Sequence, residues 1–206
     1  MLNRRRRRWP IPLVCAALLT SSIALAADGA DGAVAEQPGS WQPHSLEFHF
    51  MGFTSTYSCD GLADKLQLLL RVVGAGPDAK VIPLCARGTG RPDKLAEASL
   101  RFSTLQLADA SAPGAPAGAS PSAAGVWRHV DLTPRHPFAL QTGDCELVEQ
   151  FRDTLLPMFV TRNLDSQVTC VPHQESGSNF RLSFDVFAPA PPAKGAPPKA
   201  ASAKAA

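Results

Sequence analysis

Polar and hydrophobic residues alternate along much of this chain with the two-residue period of half-buried strands. Together with two short apolar runs, the alternation predicts six strands, at 46–50, 81–85, 99–107, 126–132, 167–170 and 180–186. Pro83 cannot donate to a ladder, which predicts an edge position for the second strand. In the third strand, the alternation of apolar and polar residues is interrupted between Phe102 and Leu105, which predicts a β-bulge there.

Two other segments show the 3.6-residue period of amphipathic helices. The first begins after Ser58, a good N-cap, and the Gly/Pro-containing segment 74–77 ends it. The second begins after Asp144 as its cap, and Pro157 ends or kinks it. Their apolar stripes consist of Leu62, Leu66, Leu69 and Val73 in the first helix, and of Val148, Phe151 and Leu155 in the second.

The order strand, helix, strand, strand occurs twice, which predicts a duplicated unit with half-repeats 41–108 and 126–187. A low-complexity loop, 109–125, joins the halves. The crossover through each helix makes the strands on its two sides parallel, and the third strand of each half runs antiparallel to them. The predicted fold is therefore α+β: a mixed, mainly antiparallel six-stranded sheet with two helices on one face.

The ends of the chain differ in composition from the domain at 41–187. Residues 1–26 combine five arginines, a short apolar run and small residues before position 27, as in a cleaved signal peptide. Lipid attachment at Cys15 and twin-arginine export are the alternatives for this segment. The segments 27–40 and 188–206 are rich in Ala, Pro and Gly, which predicts a disordered linker and a disordered tail.

Charge and hydropathy limit the possible partners. The whole chain has 20 Lys+Arg and 18 Asp+Glu, but five arginines belong to the predicted signal, which leaves 15 against 18. An acidic balance argues against nucleic acid as a partner. No transmembrane segment is expected after signal cleavage. The signal peptide predicts that the protein is located in the periplasm or is secreted into the medium.

The four remaining cysteines open or close the predicted halves. Cys59 and Cys145 begin helices, and Cys85 and Cys170 end the strands that return beside those helix starts. This geometry selects Cys59–Cys85 and Cys145–Cys170 from three possible connectivities, in a compartment where cysteines pair. Thiol–disulfide exchange or a metal site are the alternatives, but the sequence has no Cys-x-x-Cys motif and no cluster of several Cys and His residues at short spacing.

The face of the sheet away from the helices is the predicted binding face. It offers aromatic and charged groups for a polar ligand, a glycan stacked on Trp127, or a partner protein. His49 and His129 occupy equivalent places in the halves, so a pseudo-twofold axis could bring them together. The outward positions are Glu47, His49, Met51, Arg101, Ser103, Trp127, His129, Asp131, Arg181, Ser183 and Asp185.

The segment Thr54–Lys65, TSTYSCDGLADK, resembles a motif of exported proteins of Gram-negative bacteria. The resemblance implies an envelope or extracellular address and no particular activity.

We therefore expect an exported, disulfide-stapled, non-enzymatic domain that binds an envelope or extracellular ligand or protein, without a cofactor or metal. No nucleophile motif or phosphate loop accompanies the outward residues. One alternative is an enzyme that uses His49, His129 and Asp131 as an acid/base group. The other is a thiol–disulfide exchange protein.

Overall fold

The computed structural model describes residues 35–84, 91–108 and 122–191. The predicted signal peptide and Cys85 lie outside these ranges, as do most of the predicted linker, loop and tail. The described elements are β1 (Gln37–Met51), α1 (Cys59–Val72), β2 (Lys80–Leu84), β3 (Leu95–Leu107), β4 (Ser122–Leu132), α2 (Cys145–Thr154), β5 (Thr161–Thr169) and β6 (Asn179–Pro189).

The six strands form one open sheet in the order β2-β3-β1-β4-β6-β5, which confirms the α+β class. All the described ladders are antiparallel, so the expected mixed sheet is wrong. The reason is that β3 lies between β1 and β2, and β6 lies between β4 and β5. Strands joined through a helix thus share a direction without being neighbours. The Pro83 strand, β2, is at an edge, as predicted.

Both helices pack on one face of the sheet and share one hydrophobic core with it. Leu66 and Leu69 of α1 and Phe151 of α2 belong to the same buried cluster as Phe48 of β1 and Phe184 of β6. Burial of so many large apolar side chains is the main stabilising contribution to the fold. The opposite face carries no described helix and is called the open face below.

The two halves meet where β1 pairs with β4, at Gln37–Ser40 and Ser122–Gly125. These residues fall inside the predicted linker 27–40 and loop 109–125, so both predictions extended too far into the fold. Gly39 and Gly125 are required here, because an added Cβ would lie 2.8 Å from Leu105 Cγ and 2.3 Å from Phe187 Cζ, respectively. The absence of a side chain at these glycines leaves room for Leu105 and Phe187 to pack over the β1–β4 junction, which is called the seam below.

The predicted bulge in β3 is wrong, because β3 pairs with β1 in unbroken register from Leu95 to Leu107. Leu105 faces the open side and is nevertheless buried against the seam, which explains the slip in the hydrophobic pattern. A register shift occurs instead in β5, between Arg162 and Asp165. β6 continues past the predicted end at 186 to Pro189.

The helix starts differ in how they are capped. Ser58 caps α1 as predicted, and its side chain accepts a hydrogen bond from the Gly61 amide at 3.1 Å. Asp144 precedes α2, but its side chain does not cap that helix. It closes the preceding turn instead by accepting from the Gln141 amide at 2.7 Å. A 3₁₀ turn that contains Pro157 follows α2.

Cys145 and Cys170 form a disulfide with an S–S bond of 2.02 Å, which confirms the pairing predicted for the second half. Cys59 is also disulfide-bonded. Its predicted partner, Cys85, lies outside the described residues, so the pairing of the first half stays a prediction.

Candidate functional site

Strand register places the eleven outward residues of the sequence analysis on the open face. His49 is directly opposite Glu97 across the β1–β3 ladder. His129 is opposite Asp185, and Asp131 is opposite Ser183, across the β4–β6 ladder. Alternation along each strand puts the other predicted residues on the same side. The open face thus carries two separate His–acid pairs, one from each half.

The structure does not bring His49 and His129 together. His49 lies nine residues beyond Ser40, at one end of the β1–β4 ladder, and His129 lies four residues beyond Gly125, at its other end. Counted through the ladder, these 16 strand positions, at ~3.3 Å each, make a path of about 50 Å along the sheet from one histidine to the other. A group of His49, His129 and Asp131 is therefore not assembled.

Asp185 is the centre of a fixed polar cluster in the second half, the Asp185 cluster. His129 Nδ1 lies 3.0 Å from Asp185 Oδ1, while Asn163 Nδ2 at 2.8 Å and Arg162 Nε at 3.2 Å donate to Oδ2. Ser183 Oγ lies 3.3 Å from His129 Nε2. The hydrogen bonds from His129, Asn163 and Arg162, in this order of effect, lower the pKa of Asp185.

Trp127 lies beside this cluster on the open face, and a charged side chain already covers its ring. The Arg162 guanidinium sits 4.1 Å from the centre of the Trp127 ring, in a cation–π arrangement. The same indole packs against Phe187 with ring centroids 5.7 Å apart. A sugar ring stacked on Trp127 would have to displace Arg162. The structure therefore does not favour the hypothesis that a glycan stacks on Trp127.

Asp131 forms a second charged contact on the same strands. Its Oδ1 atom is buried and makes no hydrogen bond within the described chain. Arg181 Nε lies 3.5 Å from that atom, close enough for charge compensation but too far for a good hydrogen bond. Asp131 is therefore paired with Arg181 rather than with His129.

Ser183 contacts His129, which in turn contacts Asp185, as the hydroxyl, imidazole and carboxylate do in a serine hydrolase. A hydroxyl in that order can pass its proton to the imidazole. Acyl transfer also needs N–H donors aimed at the developing oxyanion and a walled site. Backbone amides around Ser183 lie within the β4–β6 and β5–β6 ladders. Four clefts in the described chain have none of these three residues in their walls. The geometry supports proton transfer, and the three side chains lie on a strand surface outside those four clefts.

The open face of the first half has a different character. His49 Nδ1 lies 3.2 Å from Glu97 and its Nε2 lies 3.9 Å from Glu47, and all three side chains are largely exposed. Met51 and Leu95, a directly opposed cross-strand pair, are 56% and 63% exposed. The half-buried Leu84 shares their face, opposite Glu97. Met51, Leu84 and Leu95 are called the Met51 patch below.

The most deeply buried charges lie at the loops before the helices, where sequence reasoning missed them. Asp144 is 4% exposed; it accepts from Lys65 Nζ at 2.6 Å and from the Tyr57 hydroxyl. Burial, followed by the nearby Asp144 carboxylate, raises the pKa of Tyr57. The sequence signal for this contact was the position of Tyr57 near Cys59 and of Asp144 next to Cys145, at the starts of the two helices.

Glu146 is a second buried acid of this region. It is 5% exposed, and its carboxylate accepts from the backbone amides of Phe53, Thr54 and Ser55 at 3.0–3.2 Å. Three donors compensate for its desolvation without a cation. Glu146 thereby fastens the loop after β1 to the start of α2 and joins the two halves.

Within the described ranges, none of the helices has the length and apolar character to cross a bilayer. The same residues contain no group of three or more His, Cys, Asp or Glu side chains placed to hold a metal ion. The chain matches no protein-family model, no curated protein and no solved structure.

Proposed function

We propose that this chain is an exported, disulfide-stapled, non-enzymatic domain that binds a partner protein in the envelope or medium through its open face. The observation that carries the proposal is the Met51 patch, in which two large apolar side chains on neighbouring strands are more than half exposed. Exposed apolar groups next to charged ones are typical of protein-binding surfaces, whereas small ligands prefer concave sites.

Export is part of this proposal. A disulfide such as Cys145–Cys170 is stable in oxidising compartments and is rare in the cytosol. The arginine-rich, apolar start of the sequence and the motif at Thr54–Lys65 support the same address.

We also propose that the domain arose from a duplicated β-α-β-β unit. The strand order is β2-β3-β1 in the first half and, read from the opposite edge, β5-β6-β4 in the second. A histidine on the first strand of each half faces an acid on the third strand. These correspondences support a shared origin of the two halves.

Photocrosslinking tests the proposed partner surface. A benzoyl-phenylalanine replaces Met51, and in a second variant it replaces Asp64, an exposed residue on α1. In cells that export the protein, we expect a discrete adduct from position 51 and none from position 64. Equal adduct yields from both positions, or no adduct from position 51, would overturn the proposal.

A matched pair of substitutions separates a specific contact from general stickiness. Leu95→Lys places a charge opposite Met51 and should suppress the position-51 adduct. Leu107→Lys, at the other end of β3 and 40% exposed, should leave the adduct intact. Loss of the adduct in both variants would point to a folding defect or to nonspecific association.

The Ser183–His129–Asp185 relay favours one alternative, an acyl-transfer enzyme. In that reaction Ser183 Oγ bonds to an acyl carbon, His129 takes the serine proton and returns it to the leaving group, and water releases the acyl group. A fluorophosphonate labels such a serine. Labelling of Ser183 that is lost in His129→Ala would establish this alternative; absence of labelling supports the binding function.

A further inference from the structure

A cleft lies beside Lys65 of α1, between the loop that precedes α2 and the loop that follows the Cys145–Cys170 disulfide. Its larger lobe has a volume of about 930 Å³ and is lined by Lys65, Arg135, Phe138, Gln141 and Glu175, among others. A second lobe of about 390 Å³ shares Lys65, Gln141 and Glu175 with it. We call these two lobes the loop cleft. Each lobe by itself lies within the size range of small-ligand sites.

The floor of the loop cleft is fixed by a buried polar network. Lys65 Nζ donates to the Asp144 carboxylate at 2.6 Å and also to the backbone oxygen of Ala139. Tyr57 and the Gln141 amide complete the environment of Asp144. A network in which each member is bonded is rigid, so the cleft is preformed and a ligand need not order it.

The rim carries an aromatic side chain that the core does not use. Phe138 is 89% exposed, more than any other large hydrophobic side chain of the described ranges. Its loop is held by hydrogen bonds from the Arg135 amide to Leu140 and between Thr133 and His136. Arg135 has a left-handed φ of 71°, an unfavourable conformation for a residue other than glycine. The fold thus presents Phe138 to solvent on an ordered loop.

The charges of the lining cancel. Lys65 and Arg135 are cationic, whereas Asp144 and Glu175 are anionic. Such a lining does not select a strongly charged ligand, because attraction to one pair is offset by repulsion from the other. The amide of Gln141 and the carboxylate of Glu175 offer both donors and acceptors. Hydroxyl groups, which donate and accept, match this mixture.

We propose that the loop cleft binds a neutral oligosaccharide, with one sugar ring stacked on Phe138 and its hydroxyls bonded to Gln141 and Glu175. Aliphatic C–H groups on one face of a sugar ring pack on an aromatic plane, and the hydroxyls at its edge reach the polar wall. This site is separate from the open face, so the loss of either function leaves the other in place.

Amide NMR spectra of the full chain with chitotetraose, maltotetraose and the tetrapeptide Lys-Glu-Lys-Glu test the proposal. At about 10 mM ligand, a concentration that reveals weak binding, we expect one of the sugars to shift the amides of Gln141, Thr142 and Glu175. The charged tetrapeptide should produce no such shifts. Failure of both sugars to shift these amides, or larger shifts with the tetrapeptide, would overturn the proposal.

Substitutions at the rim locate the binding site. Phe138→Ala should weaken the sugar's affinity about five- to tenfold without unfolding the chain, because the side chain contributes little to the core. Phe138→Tyr should retain affinity. Leu164→Ala, at another exposed apolar position on β5, is the matched control and should change nothing. Equal weakening by Phe138→Ala and Leu164→Ala would contradict a site at Phe138.

Discussion

The two halves place a histidine opposite an acid at corresponding points of their central ladders, yet only the second half turns that pair into a fixed cluster. In the first half, His49 and Glu97 are 60% and 45% exposed. In the second half, Asp185 is only 20% exposed and has three side-chain partners. The cross-strand pair is common to both halves, so its surroundings make the difference.

The edge strands supply those surroundings. β5 shifts register between Arg162 and Asp165, and Asn163 adopts a left-handed φ of 55°. This irregularity brings Arg162 and Asn163 to Asp185. β2 is a regular five-residue strand, and the position facing Glu97 is Leu84. In these two halves the central strands determine where the His–acid pair lies, and the edge strand determines whether the pair becomes ordered.

The largest expected effect concerns the disulfides. Replacing both Cys145 and Cys170 by serine should lower the free energy of unfolding by about 3–4 kcal/mol, because the crosslink closes a loop with a sequence separation of 25. Urea unfolding measures the loss. Cys59→Ser should produce a similar loss and a free thiol at Cys85 if the halves are built alike. Unchanged stability in the double variant would exclude a structural role and favour thiol–disulfide exchange.

The second difference between the halves concerns the acid that follows the cysteine at the start of each helix, Asp60 in α1 and Glu146 in α2. Glu146→Ala removes the acceptor of three backbone amides and should cost about 2–3 kcal/mol in free energy of unfolding. Asp60→Ala, at the corresponding exposed position of α1, should cost less than about 1 kcal/mol, the usual size of a helix-dipole contribution. Thermal and urea unfolding measure both. Equal losses would show that Glu146 does not clamp the halves.

The sequence predicted the regular parts of this fold because hydrophobic period and cap residues are local properties. Both helices, the open face and the edge position of Pro83 follow from such patterns. The seam did not, because Gly39 and Gly125 have the composition of a linker. Their role is to leave room for Leu105 and Phe187, which are distant in sequence. Close backbone approach is a property of pairs of segments, and one segment alone does not reveal it.

The candidate sites were predictable only in part for the same reason. Alternation placed His129 and Asp185 on one face, but the donors of the Asp185 cluster come from the irregular part of β5, which has no hydrophobic period. Asp144 has the residue type and position of a helix cap. Its side-chain partners, Tyr57 and Lys65, belong to the other half of the chain.

A smaller effect should appear at alkaline pH, through this contact between the halves. The folded protein holds the pKa of Tyr57 above its ordinary value, whereas the unfolded chain ionises near pH ~10. The contribution of this contact to the free energy of unfolding should therefore be fully present below pH ~10. Above that pH, the free energy of unfolding should fall by up to about 1.4 kcal/mol per pH unit. Tyr57 is the only tyrosine in the chain, so phenolate absorbance reports it directly. Tyr57→Phe should remove this decline; an ordinary tyrosine titration in the folded protein would contradict the contact.

The smallest expected effect tests whether the Asp185 cluster is an ordered unit. Hydrogen bonds lower the pKa of Asp185, and His129 contributes most. Its stabilising contribution is therefore present above the ordinary pKa of ~3.9 and is lost as pH falls through the lower folded pKa. In carboxyl-carbon NMR titrations, His129→Ala should raise the pKa of Asp185 more than Asn163→Ala does. His49→Ala is the matched control from the other half. An unchanged pKa of Asp185 in His129→Ala would mean that the edge strand alone holds this carboxylate. A change of that pKa in the control would mean that the effect of His129→Ala is not local to the cluster.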